Sequence, residues 1–222
     1  FPEILFESCA SGGARFDPGI LYYAPQGWAS DNTDAIDRLK IQYGTSVVYP
    51  VSCIGSHVSA SPNHQTFRNT SLQTRANVAY FGTFGYELDI TKMTDEELDQ
   101  MREQVVFMKL HRELIQKGTF YRLRSPFAGN ETAWIIVSED LKEALVGYYR
   151  VLQPSNAPFS RLKLQGIGRN IKYSVNGEEE HFGDELMQIG IITSDYAAGV
   201  WKKGREGQGD YMSKLYYLKA IE

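Results

Sequence analysis

The residue types best suited to chemistry concentrate in Gly27-Trp28-Ala29-Ser30-Asp31-Asn32-Thr33-Asp34, where an aromatic and a burst of short polar side chains precede a helical pattern. That order reads as the end of a strand delivering side chains onto a helix N-terminus. Asp31 has two readings there. Ser30, Asp31, Asn32 and Thr33 are all good N-cap types, whose side-chain oxygens satisfy the free N–H groups of a first helical turn; alternatively, the Asp31 carboxylate serves a site. Glu7, Asp17, Asp34, Glu87 and Asp89 also fall near strand ends. A pair of carboxyl groups about 5–5.5 Å or about 6.5–9.5 Å apart is what glycoside cleavage needs, with retention or inversion respectively. Trp28 is either an apolar platform with a donating indole N–H or plain packing.

Other combinations point less clearly to chemistry. Ser11-Gly12-Gly13 lacks both the G-x-G-x-x-G spacing and the lysine of a phosphate loop, which argues against a nucleotide. It suits close backbone approach to an uncharged polar ligand, or a tight turn with no ligand. Gly166-Ile167-Gly168 reads as a turn. Cys9 and His57 could pair as nucleophile and base, but no oxyanion motif accompanies them. His57, His64, His111 and His181 form no paired zinc motif, and Cys9 and Cys53 have no metal-ligand spacing. No metal or cofactor is expected. Two cysteines are too few for a disulfide framework, so free thiols in a reducing, cytoplasmic setting are the expectation.

The elements that must position these residues alternate. A buried strand is predicted at Ile4 to Ser8 and a second at the opening stretch, with a helix from about Thr33 to Tyr43 stopped by Gly44. A third strand at about Cys53 to Val58 precedes a helix from about Ser71 to Phe81, and a fourth at Thr83 to Tyr86 ends in Glu87-Leu88-Asp89. The capping box Thr94-Asp95-Glu96-Glu97 starts a helix over Asp95–Lys117. Polar clusters follow each strand, the pattern of a parallel α/β fold. About 250 residues make eight units of a (β/α)8 barrel, so four units are half of one, with a small doubly wound sheet as the alternative. After Gly118 the period shortens: runs at Phe120–Arg124, Ala133–Val137, Leu145–Leu152, Arg161–Leu164, Ile171–Val175 and Lys214–Ile221 predict antiparallel strands of a sandwich-like all-β domain. Val175-Asn176-Gly177-Glu178 carries a hairpin signal, weakened by Glu178 to Glu180. Residues 195–210, rich in glycine and charge, are expected to form a loop or a poorly ordered stretch. The domains are thus 1–118 and 119–222.

With 42% hydrophobic residues in 222, the chain can bury a real core. A net charge of −4 and no basic run argue against nucleic acid as partner. No apolar stretch reaches the ~18–20 residues needed to cross a bilayer and no leader opens the chain, so neither membrane insertion nor export is expected. The start at Phe1-Pro2-Glu3-Ile4, without methionine, suggests the middle of a longer polypeptide.

Glu7-Ser8-Cys9-Ala10-Ser11-Gly12-Gly13-Ala14-Arg15-Phe16-Asp17-Pro18-Gly19, followed by Trp28-Ala29-Ser30-Asp31-Asn32-Thr33-Asp34-Ala35, resembles the α-galactosidases of glycoside hydrolase family 36. Ser56-His57-Val58-Ser59 and Gly82-Thr83-Phe84-Gly85-Tyr86-Glu87 resemble the last two barrel strands of that family. The resemblance implies the second half of a (β/α)8 TIM barrel, strands five to eight, followed by an antiparallel β-sandwich domain. It implies a retaining double displacement on terminal α-galactosides of the raffinose and melibiose type, without cofactor. Asp31 takes the acid/base role, and Cys9, Ser11, Gly12, Gly13 and Trp28 line the galactose. Ala14 stands where the family has a third glycine. The family nucleophile lies in a Lys-Trp-Asp motif that this sequence lacks, so the implied partner is the missing N-terminal half, and the chain alone is expected to be inactive. A homo-oligomer, a tetramer by resemblance, is also implied. Two other readings stay open: a galactosyl transferase of the raffinose-synthase kind, and a non-catalytic carbohydrate-binding module resting on the β-domain.

Overall fold

A computed structural model of the chain describes residues 1–9, 16–155, 159–194 and 209–221. Two units divide it, Phe1–Gln116 and Lys117–Glu222. Ser11, Gly12 and Gly13, and residues 195–208 of the glycine-rich stretch, lie outside the described residues.

The first unit runs β1 (Glu7–Ser8), α1 (Pro18–Tyr23), β2 (Gln26–Gly27), α2 (Ala35–Thr45), β3 (Gly55–Ser59), α3 (Leu72–Ala79), β4 (Thr83–Glu87) and α4 (Asp95–Lys117). β1 pairs parallel with β2, a parallel bridge joins Gly27 to Ile54, and β3 pairs parallel with β4 from Gly55↔Thr83 to Ser59↔Glu87. Strand order in space therefore follows strand order in sequence, and all four C-terminal ends point the same way. Ser8, Trp28, Ser59 and Glu87 stand at or just beyond those ends, with Glu7 one residue before.

Local chemistry accounts for most boundaries. Thr94 and Glu97 bond reciprocally, Thr94 N–H to the Glu97 carboxylate at 3.0 Å and Glu97 N–H to the Thr94 hydroxyl at 3.2 Å, and α4 spans Asp95–Lys117 as its capping box predicts. The first predicted strand is corrected. Only Glu7–Ser8 is a strand, and Ile4, Leu5 and Phe6 are exposed, because apolar content alone does not make a strand without a neighbour to pair with. Helix α1 was not anticipated; Asp17 caps it by accepting the Ile20 N–H at 3.0 Å, and Pro18 opens its first turn. Helix α2 passes through Gly44 and ends at Thr45, where the Ser46 N–H reaches Gln42 O at 2.9 Å, so Gly44 is not its stop. A short 3-10 turn at Val51–Cys53 delays β3 to Gly55. Buried Gln42 then joins three elements: it donates to the Val78 and Phe81 carbonyls at 3.2 Å each and accepts from the Ser56 hydroxyl at 2.9 Å.

The second unit is mostly sheet: β5 (Thr119–Arg124), β6 (Glu131–Val137), β7 (Glu143–Arg150), β8 (Arg161–Leu162), β9 (Lys172–Val175), β10 (Glu179–Phe182), α5 (Gly183–Gln188), β11 (Ile191–Ile192) and β12 (Met212–Ile221). Six strands form an antiparallel sheet in the order β10-β9-β12-β7-β6-β5, while β8 and β11 pair separately. Alternate residues Ala133, Ile135 and Val137 of β6 share one core with Leu162, Leu186 and Ile191 from β8, α5 and β11. The second layer is thus a two-stranded ribbon and a helix, much smaller than the main sheet. Trp134 and Tyr149 on the opposite face are also buried, with ring centres 5.0 Å apart.

The hairpin at Asn176-Gly177 forms despite the acidic run that follows it, because β10 is an edge strand whose charges have partners. Lys172 pairs with Glu180, and His181 sits 3.2 Å from Glu179 and 3.0 Å from Glu185. Partial burial of His181 opposes its protonation, but the hydrogen bonds to Glu179 and Glu185 outweigh it and raise the imidazole above its usual 6.5. A raised folded-state pKa contributes stability that is complete below the unfolded value and fades as pH climbs through the folded one. Unfolding midpoints measured between about pH 5.5 and 8.5 are expected to decline across that window in a way that His181→Gln removes. Parallel pH profiles for the two proteins would contradict the assignment.

Candidate active site

Trp28 is the first residue past β2, and its backbone N–H donates to Ser8 O at 2.8 Å, which continues the pairing with β1. The indole is buried, tilted 32° against the His57 ring at 4.5 Å between centres, with the Arg38 guanidinium 4.7 Å from the indole centre. A methyl group on Gly55 would come within 2.8 Å of the Trp28 ring, and one on Gly85 within 2.8 Å of the His57 ring. These two strand positions are glycine because aromatic rings lie directly over them. His57 Nδ1 in turn approaches the Glu87 carboxylate at 3.5 Å.

Arg38 is the cation under this layer. It is 2% exposed, donates to Ser30 O at 3.4 Å and to Gly55 O, and so fastens the loop after Trp28 to the start of β3. Burial lowers its pKa to about 10, against the pull of the Glu87 charge. Sequence reading passed over it, although a signal existed. Ala35, Arg38, Leu39 and Gln42 share the i, i+3, i+4, i+7 spacing of one helix face, and an arginine on a face otherwise facing inward demands a buried role.

The loop from Ser30 to Asp34 separates the two roles that sequence had offered to Asp31. The cap is Asp34: it is 1% exposed, and its Oδ1 accepts the Ile36 and Asp37 N–H groups at 3.0 Å each. Its Oδ2 accepts the Thr66 hydroxyl at 2.8 Å, and Arg68 forms an ion pair with it. Asn32 bridges the Asp34 N–H at 3.0 Å and the Asp37 carboxylate at 2.8 Å. Thr33 is held by the Ser59 hydroxyl on its carbonyl at 2.9 Å and by Asn63 on its hydroxyl at 3.0 Å. Residues 32–34 are thereby fixed on both sides. Asp31 is exposed, and its side chain has no hydrogen bond or ion pair among the described residues.

The other strand-end carboxylates are all engaged. Gln26 donates to Glu7, Asp17 caps α1, Glu87 faces His57, and Asp89 accepts the Thr91 N–H at 3.0 Å and sits 3.3 Å from Lys92. Hydrogen bonds from Thr91 lower the Asp89 pKa. Cys9, just past β1, is exposed, while Cys53 is buried and its thiol is pushed up by that burial. No hydrogen bond joins Cys9 to His57 among the described residues; His57 is committed to Trp28 and Glu87. Among the described residues, no group of three or more His, Cys, Asp or Glu side chains could hold a metal ion, and no helix is long and apolar enough to cross a membrane.

Comparison with known proteins adds a consistent set of relatives. Residues 1–118 match the Melibiase family, and residues 131–218 match the glycosyl hydrolase family 36 C-terminal domain. Alpha-galactosidase AgaA of Geobacillus stearothermophilus is 58% identical over 206 residues, covering 91% of this chain and 28% of that protein. Alpha-galactosidase Mel36A of Lactobacillus acidophilus is 47% identical over 222 residues, covering 100% of this chain and 29% of its own. The crystal structure of an AgaA variant in complex with raffinose superposes with a TM-score of 0.92 at 54% identity, covering 100% of this chain and 29% of that one. The fold is therefore that of these enzymes over the matched region, and the chain spans under a third of the length of the relatives it matches.

Proposed function

Because this chain belongs to the melibiases of glycoside hydrolase family 36, we propose that it supplies the acid/base half of a retaining α-galactosidase acting on terminal α-galactosides of the raffinose and melibiose type. One observation carries the reading: of the six strand-end carboxylates, Asp31 alone has no partner among the described residues, on a loop whose neighbours are all fixed. An acid/base catalyst must reach the leaving oxygen and then a water molecule, so it has to be positioned without being consumed by an internal partner. In this proposal Asp31 protonates the glycosidic oxygen as a nucleophilic carboxylate attacks the sugar, then deprotonates the water that releases galactose. Trp28 offers the sugar an apolar edge, and the family resemblance assigns galactose contact to Cys9, Ser11, Gly12 and Gly13.

The nucleophile lies in the rest of the polypeptide, for the sequence has no Lys-Trp-Asp. Residues 1–118 form strands five to eight of a (β/α)8 barrel, and residues 119–222 the C-terminal, sandwich-like β-domain. The sequential, all-parallel strand order supports this, since a doubly wound sheet reverses its order at a switch point whereas a barrel does not. The chain alone brings one carboxylate of the pair and is inactive; the rest of the enzyme, including the N-terminal half of the barrel, and a homo-oligomeric assembly in the cytoplasm complete the proposal.

The test is the anomer first released from raffinose by the complete protein, followed by proton NMR. Early α-galactose together with sucrose is the expected result. Early β-galactose, or galactose appearing only on an added sugar acceptor, would overturn it.

A further inference from the structure

The second unit contains a cavity of about 730 Å³ that none of the chemistry above uses. Its floor is the end of the main sheet, where Glu131 of β6 stands directly opposite Arg150 of β7. Cross-strand neighbours on one face are ordinarily close enough for opposite charges to pair. Here they do not. Glu131 is engaged elsewhere: Arg124 forms an ion pair with one carboxylate oxygen, and the Tyr148 hydroxyl donates to the other at 2.6 Å.

Arg150 is left over. It is 7% exposed and lines the cavity, and its side chain makes no hydrogen bond or ion pair among the described residues; its Nε is buried without a partner. A guanidinium Nε–H taken out of water without an acceptor is costly, and folding alone does not satisfy it. Counting Arg124, Glu131 and Arg150, the floor carries one net positive charge. Around it, Phe159 adds an aromatic wall and Ser125 a hydroxyl at the rim, beside Asn130, whose amide is bonded to the Leu152 backbone.

We propose that this cavity is a second ligand site, separate from the Asp31 loop, which takes an anionic monosaccharide: a hexose bearing a phosphate or a carboxylate. Arg150 bonds the anion bidentately, the aromatic wall meets the apolar face of the ring, and the polar rim meets its hydroxyls. The volume accommodates a hexose with its anionic group. The site does not depend on the α-galactosidase reading.

Calorimetric titration of the complete protein tests it, with glucose 6-phosphate and glucuronate as probes and neutral glucose and inorganic phosphate as controls. At least one anionic hexose is expected to bind with Kd below about 1 mM, and neither control as tightly. Arg150→Met is expected to weaken binding at least about tenfold. Gly129 also lines the cavity, and a Cβ there would meet nothing within 4 Å, so Gly129→Trp is accommodated with Arg150 intact and is expected to block the cavity and abolish binding in a protein that still melts cooperatively. The proposal falls if no anionic hexose binds, as when another segment of the complete protein fills the cavity. It also falls if inorganic phosphate binds as tightly, an adventitious ion only, or if binding survives in folded Gly129→Trp.

Discussion

Replacing Asp31 by alanine in the complete enzyme is expected to lower kcat/KM for raffinose by about 10²–10⁴-fold, the range that a positioned acid/base supplies, while leaving stability within about 0.5 kcal/mol of the parent. The two halves of that expectation come from the same fact. Asp31 has no internal partner among the described residues, so its removal breaks nothing in the fold, whereas in the proposed mechanism it takes the proton donor from the departing sucrose. An aryl α-galactoside with a nitrophenolate leaving group needs little protonation, so its first step survives better and the galactosyl intermediate accumulates for want of a base. Azide attacks that intermediate without needing deprotonation, so it is expected to restore turnover and yield a galactosyl azide. Full activity on raffinose without azide would remove Asp31 from the mechanism. An equal loss on both substrates with no azide effect would make it a binding residue.

How much of this was readable from the chain depends on whether a residue's partner is near in sequence. α4 was legible to the residue, because Thr94 and Glu97 satisfy each other three positions apart. The β9–β10 hairpin was half legible: Asn176-Gly177 marked the turn, but the tolerance of Glu179 and Glu180 depends on Lys172 and His181 across the ladder. The position of β12 between β9 and β7 was not legible at all, since it joins segments far apart in the chain. The site divides along the same line. That Trp28 and the polar burst end a strand could be read locally. Arg38 under the indole and Thr66 and Arg68 on Asp34 come from other elements, so sequence alone could not say which aspartate of Ser-Asp-Asn-Thr-Asp was the cap.

Asp34→Ala tests that division of roles directly, with a larger effect on stability than on chemistry. It removes the N-cap of α2, a loss of about 1 kcal/mol, and it takes one partner from an ion pair whose aspartate is 1% exposed. Breaking a buried pair in this way costs about 3–5 kcal/mol. Arg68 keeps some compensation from Asp37 at 3.4 Å and is itself about a quarter exposed, and neighbouring losses do not add, so a total near the lower figure is expected. Asp34→Asn separates the components: an amide oxygen still accepts from Ile36 and Asp37, so the cap survives, while the charge interaction with Arg68 and the acceptor for the Thr66 hydroxyl are lost. In urea titrations the midpoint is therefore expected to be highest for the parent, lower for Asp34→Asn and lowest for Asp34→Ala. Activity of the folded fraction is expected to fall far less than in Asp31→Ala, because the loop is displaced but its acid is retained. An Asp34→Ala protein as stable as the parent would refute the cap. One that is stable yet as inactive as Asp31→Ala, and rescued by azide, would transfer the acid/base role from Asp31 to Asp34.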